Sequence, residues 1–218
     1  MLALLLKNQR FTITGLLVFF SLGFLGFFTE SDTLSPVFQS FIVSVIFFLV
    51  IPLLYSKIVL RESLNKIGWQ RGSVSAGVLT GILSVVVAGA SVIGLALAFP
   101  DFSAQYVLPL SVETSFVWFI LYELVLLTVT VLFYETFFRG LVQLLWLETL
   151  GMWGIVIQTV LFYALIYLSQ DISWAVAPLL IFCPLAGLIA YRSQSIWYSS
   201  IASWTFLFLT DIFFLIYR

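Results

Sequence analysis

The side chains able to do chemistry are few, and they sit among apolar neighbours. Glu135 and Arg139 stand four residues apart in Tyr134-Glu-Thr-Phe-Phe-Arg-Gly140. On a helix that spacing brings acid and base together, with the acid ahead of the base, the better order. Such a pair can act as an active-site carboxylate with its positioning arginine, or as a self-neutralised pin between helices. Glu123 lies eleven residues before Tyr134, three helical turns, and so shares its face. Asp211 falls near the far end of the last apolar stretch, and neither acid has an evident partner in its own segment. The chain of 218 residues contains no histidine and one cysteine, Cys183. These counts exclude Ser-His-Asp catalysis, His-ligated zinc, haem or chlorophyll, an internal disulfide and every CxxC metal knuckle. No cofactor and no metal are expected, and Cys183 reads as a small hydrophobe.

Helices crossing a membrane must hold these groups. Hydrophobic residues make up 62 % of the chain and charged ones 9 %, against roughly 25 % charged in an average soluble domain. A soluble fold could not hide that much apolar surface. A membrane-crossing helix needs about 20 apolar residues, and seven segments qualify, near 11–29, 36–56, 74–99, 114–146, 152–169, 173–190 and 195–217. The expected fold is all-α: a polytopic transmembrane bundle of about seven spans. The fourth segment exceeds one simple crossing and is expected to tilt or to run past the surface near Trp146. Pro36 suits a helix start, whereas Pro52, Pro178 and Pro184 are expected to bend their helices.

Charge placement supports one orientation. Lys7, Arg10, Lys57, Arg61, Lys66, Arg71 and Arg192 fall on one side when the helices are threaded in order. Glu30, Asp32, Asp101, Glu113 and Asp171 fall on the other. By the positive-inside rule the N-terminus is cytoplasmic and the C-terminus outside. The first span, longer than a cleavable signal core and without a small-x-small site after it, reads as a retained signal-anchor. Val59, Leu60, Leu64 and Ile67 recur on one helical face opposite Arg61, Glu62, Asn65 and Lys66, which predicts a short helix on the cytoplasmic surface or an ordinary connecting helix. Gly77 and Gly81 make a small-x-x-x-small pattern suited to close helix contact, within the chain or with a partner. The layout is a single membrane domain over 1–218, with an N-terminal helical pair (1–57), an interfacial segment (58–73) and a core (74–218). The net charge of −1 offers nucleic acid no basic patch.

Three stretches resemble a known family. Tyr134-Glu135-Thr-Phe-Phe-Arg139-Gly140-Leu-Val is similar to the Glu-Glu-x-x-Phe-Arg-Gly motif of the CAAX protease and bacteriocin-processing (CPBP, or Abi) family. These are polytopic intramembrane endopeptidases that include the Ras-converting-enzyme type. Pro184-Leu-Ala-Gly187-Leu-Ile-Ala-Tyr-Arg192-Ser-Gln-Ser195-Ile-Trp197 resembles the family's glycine-containing helix, basic turn and Ser-Ile/Leu-Trp helix opening. Leu64-Asn-Lys-Ile-Gly68-Trp-Gln-Arg71-Gly is similar to the Leu-x-x-Leu-Gly-x-x-Arg element before the core. The resemblance runs from about 58 to 210.

The resemblance implies a general-base glutamate, two histidines in Phe-x-x-x-His and His-x-x-x-Asn/Asp motifs, and the Asn/Asp itself. Carried over, the catalytic glutamate position holds Tyr134, while Glu135 and Arg139 match the second glutamate and the arginine. Phe-x-x-x-His falls on Tyr163-Ala-Leu-Ile-Tyr167, and the last motif on Ser203 with Leu207. A phenol, with an ordinary pKa of about 10, is a poor base at neutral pH. Serine without a base is a weak nucleophile, and leucine cannot polarise a carbonyl. Tyr134, Glu135, Arg139, Tyr163, Tyr167, Ser203 and Leu207 are therefore vestigial site positions with no catalytic role, and Glu123 and Asp211 are separate intramembrane ionisable groups.

The function this implies is a pseudo-protease: a membrane scaffold, assembly factor or accessory subunit. Its expected surroundings are the lipid bilayer, a bacterial inner membrane for preference, and other transmembrane proteins in a hetero-complex. One alternative is a divergent active endopeptidase using Glu135. Further alternatives are a protein binding a lipid, an isoprenoid or a pigment, and a bacteriocin self-immunity protein.

Overall fold

The computed structural model describes residues 2–28, 36–106, 108–169 and 173–217. Glu30, Asp32 and Asp171 lie outside the described residues. Among the described residues there are seven long helices: α1 (Leu2–Gly26), α2 (36–59), α3 (Val74–Ala98), α4 (Phe116–Leu144), α5 (Trp153–Ser169), α6 (Trp174–Ser193) and α7 (Ile196–Tyr217). Six are long and apolar enough to cross a membrane, and α5 is a shorter apolar helix. The chain is an integral membrane protein with an all-helical bundle, as the hydropathy pattern predicts.

Successive helices run in opposite directions. At one end, Arg10 of α1 meets Glu62 at 3.8 Å, and Lys66 meets the same carboxylate at 3.9 Å. The linker before α3 is tied to the α6–α7 turn there: Ser73 N–H donates to the Ser193 carbonyl at 2.8 Å and Ile196 N–H to the Gly68 carbonyl at 3.0 Å. At the opposite end Phe102, between α3 and α4, packs on Trp174 and on Phe214 near the end of α7. The basic segment 57–71, Arg10 and the turn after Arg192 thus share one end of the bundle.

Two local expectations change. Residues 58–69 do not form a surface helix. Leu60 and Ile67 are buried, and a single tight turn, Leu64–Ile67, ends at Gly68 with φ +81°. Burying those two apolar side chains outcompetes an amphipathic helix too short to sustain itself. Pro178 does not bend α6 but stands in the first turn of its α-helical part, Ala177–Ser193, where its missing N–H costs nothing. Pro52 lies within α2, flanked by wide π-helical turns at Val45–Val50 and Tyr55–Val59.

The buried face of α3 is a stripe of small residues, Gly77, Gly81, Ser84 and Ala88 among them, that lies against α6 and α7. A Cβ on Gly77 would stand 2.4 Å from the Tyr198 ring of α7. The Gly77–Gly81 pattern serves contact within the chain. Gly89, on the same helix, has open space around it.

Candidate functional site

The two motif stretches with the family's spacing meet in the middle of the bundle. Residues Glu135–Leu144, the last part of α4, form a ten-residue π-helix in which every residue is buried. Such widened turns are rare and concentrate at functional sites. Gly140 allows it to pack there, since a Cβ would come within 2.8 Å of the Ile67 carbonyl. Gln143 Nε2 donates to the Gly187 carbonyl at 2.8 Å, holding the π-segment to α6.

Glu135 and Arg139 are 2 % and 4 % exposed, and Arg139 Nε stands 3.6 Å from Glu135 Oε1. That contact is a charge pairing, because Nε itself makes no hydrogen bond. Arg139 Nη2 donates to the Cys183 carbonyl at 3.0 Å, and its guanidinium lies 5.9 Å from the centre of the Phe162 ring. The carboxylate accepts further hydrogen bonds from α7: Ser199 Oγ to Oε2 at 2.5 Å and Ser203 Oγ to Oε1 at 2.9 Å. Glu135 therefore joins α4 to α7 while Arg139 joins α4 to α6. Buried ionic groups persist when paired and hydrogen-bonded in this way.

Beside the pair is a cavity of about 190 Å³ whose walls include Tyr134, Glu135, Arg139, Cys183, Ser203 and Leu207. Most of its lining is apolar. Five of the seven vestigial positions come together around it: Tyr134, Glu135, Arg139, Ser203 and Leu207. Tyr134 stacks within an aromatic group of Phe48, Phe138 and Phe162.

Tyr163 and Tyr167 do not reach the cavity. Tyr163 donates to the Leu180 carbonyl at 2.6 Å and Tyr167 is 69 % exposed. The register on α5 is one residue earlier: Phe162 and Ile166 line the cavity. A one-residue shift turns a helical side chain by about 100°, so Phe162-Tyr-Ala-Leu-Ile166 faces the site and isoleucine takes the second position. Sequence reasoning also missed Ser199. Its four-residue spacing from Ser203 was the available signal, because two hydroxyls one turn apart face the same neighbour.

Glu123 and Asp211 are brought together, but away from this cavity, towards the opposite end of the bundle. The Tyr106 hydroxyl, from the α3–α4 connection, donates to Asp211. Nothing in the sequence pairs Tyr106 with these acids.

Among the described residues no three His, Cys, Asp or Glu side chains gather as metal ligands. No curated protein matches the chain, and no solved structure matches it either. The family model described as Type II CAAX prenyl endopeptidase Rce1-like matches residues 114–209. That segment runs from just before α4 into α7 and contains every residue placed at the cavity, while the linker element at 64–72 lies outside the match. Over that segment, less than half of the chain, the protein is similar to the Rce1-like family.

Proposed function

We propose that this protein is a non-catalytic Rce1-like membrane protein that binds other transmembrane proteins as a scaffold or accessory subunit. The observation that carries the reading is the state of Glu135. Its two oxygens accept from Ser199 and Ser203, and Oε1 faces Arg139, an arrangement that anchors the carboxylate between helices and holds it ionised beside a fixed cation. Around it stand a phenol, a serine hydroxyl, an isoleucine and a leucine where the resemblance asks for glutamate, histidine, histidine and Asn/Asp. A base, an oriented water and an electrophile for the carbonyl are what amide hydrolysis needs.

The cavity's size favours the same reading. At about 190 Å³ it falls below the roughly 300–1,000 Å³ of sites that enclose a drug-sized ligand. A peptide or an isoprenoid enters only if helices part. A groove of about 470 Å³ between α1 and α5, almost wholly apolar, runs along α1 from Phe11 to Phe27. At 1.5 Å per residue that is about 24 Å, most of a hydrocarbon core about 30 Å thick. Gly15 and Gly23 have open space above them in the groove, which lets a partner's transmembrane helix approach the backbone closely.

Gentle purification from the native membrane tests the binding role. The expected result is a stoichiometric membrane-protein partner that is lost when Gly15 and Gly23 are both replaced by leucine. Recovery of the protein alone would contradict it.

A further inference from the structure

A second polar cluster lies apart from the Glu135 cavity, at the end of the bundle away from the basic linker. Glu123 of α4 and Asp211 of α7 are 0 % and 2 % exposed. Their carboxyl groups face each other within hydrogen-bonding reach. Both Glu123 oxygens lack a donor, and among the described residues no ion pair includes either acid. The arrangement is held firmly. Trp204 Nε1 donates to the Glu123 backbone carbonyl at 2.9 Å, and the Tyr106 hydroxyl donates to Asp211.

Tyr106 and Tyr122 are the other titratable side chains beside the pair. Burial, reinforced by the Asp211 carboxylate, pushes the Tyr106 phenol far above its ordinary range, so it stays a donor. Two facing carboxylates in an apolar interior, with no basic side chain beside them among the described residues, require a positive charge from solution. We propose that Glu123 and Asp211 together hold one small monovalent cation, a proton or an alkali-metal ion, between their carboxyl groups.

The ligand set argues for a monovalent guest. Two carboxylates fall short of the six to eight oxygen ligands typical of calcium, and among the described residues no third acid, histidine or cysteine joins them. A cavity of about 180 Å³ is lined by Tyr106, Glu113 and Phe214, and Glu113 is exposed. Tyr106, at the edge of this cavity, carries the hydroxyl that donates to Asp211. This site does not depend on whether the Glu135 cavity binds or cleaves anything.

The full-length protein in nanodiscs provides the test, read by infrared absorption and thermal unfolding. Bound proton shows as the carbonyl band of a protonated carboxyl at neutral pH, lost in both Glu123→Gln and Asp211→Asn. Bound sodium shows as a saturable rise in unfolding midpoint, roughly 5–10 °C when sodium reaches about 100 times its Kd, again lost in both variants. Choline chloride is the control for ionic strength. The band alone assigns the proton, and the sodium effect alone assigns the alkali ion. Neither signal in the wild-type protein, or signals that persist in both variants, overturns the proposal. Should the amide variants fail to fold, Tyr106→Phe replaces them: a shifted band or sodium midpoint supports the site, and an unchanged one overturns it.

Discussion

At the scale of the residue, the Glu135–Arg139 pair is a structural joint with four anchors. Arg139 removes its charge from water by facing Glu135 and donating to the Cys183 carbonyl. Replacing Arg139 by methionine leaves the Glu135 carboxylate buried without its countercharge, which costs about 3–5 kcal/mol when one partner of a buried pair is removed. Denaturation of Arg139→Met, of Glu135→Gln and of the double variant checks this. The double variant is expected to lose clearly less than the sum of the singles, because the two side chains share one interaction. Additive losses would mean that the pair is not coupled. This joint was legible from spacing alone, since i and i+4 side chains meet on a helix. The register on α5 was not. Phe162 and Tyr163 are both aromatic, and the only polar cue to the inward face is Gln158, one turn before Phe162, beside Thr159 on the neighbouring position.

At the scale of the element, the site depends on how closely helices can approach. The stripe on α3 is built of small side chains, and Gly77 meets the Tyr198 ring of α7 with no room for a methyl group. Gly77→Ala is expected to destabilise by about 1–3 kcal/mol through overpacking. Gly89→Ala, with open space above it, stays within about 0.5 kcal/mol or gains slightly from better helix propensity. Thermal unfolding of the two variants side by side gives the comparison, and equal effects would contradict the packing. The spans themselves were readable from hydropathy because lipid imposes uninterrupted apolar length. The π-helical turns in α2 and α4 were not, since a widened turn answers to its neighbours' packing rather than to local composition. The linker at 58–73 misled for a related reason: its apolar residues follow a helical period, yet Leu60 and Ile67 are drawn inward one at a time.

At the scale of the whole molecule, two polar centres sit in one apolar bundle. The first, Glu135 with Arg139, Ser199 and Ser203, ties α4 to α6 and α7 where the Rce1-like family match lies. The second, Glu123 with Asp211 and Tyr106, closes the other end. Absence of histidine from the chain pointed to the first centre before any geometry, by naming the groups a hydrolytic site would need. The pairing of the second was hidden, because Tyr106, Glu123 and Asp211 meet through three separate parts of the chain. We propose that the first centre binds the fold together and cleaves nothing. The most direct measurement is hydrolysis of prenylated C-terminal peptides by the purified full-length protein in nanodiscs, with Glu135→Gln in parallel. No cleavage above buffer is expected for either protein. Turnover by the wild-type protein that disappears in Glu135→Gln would contradict it.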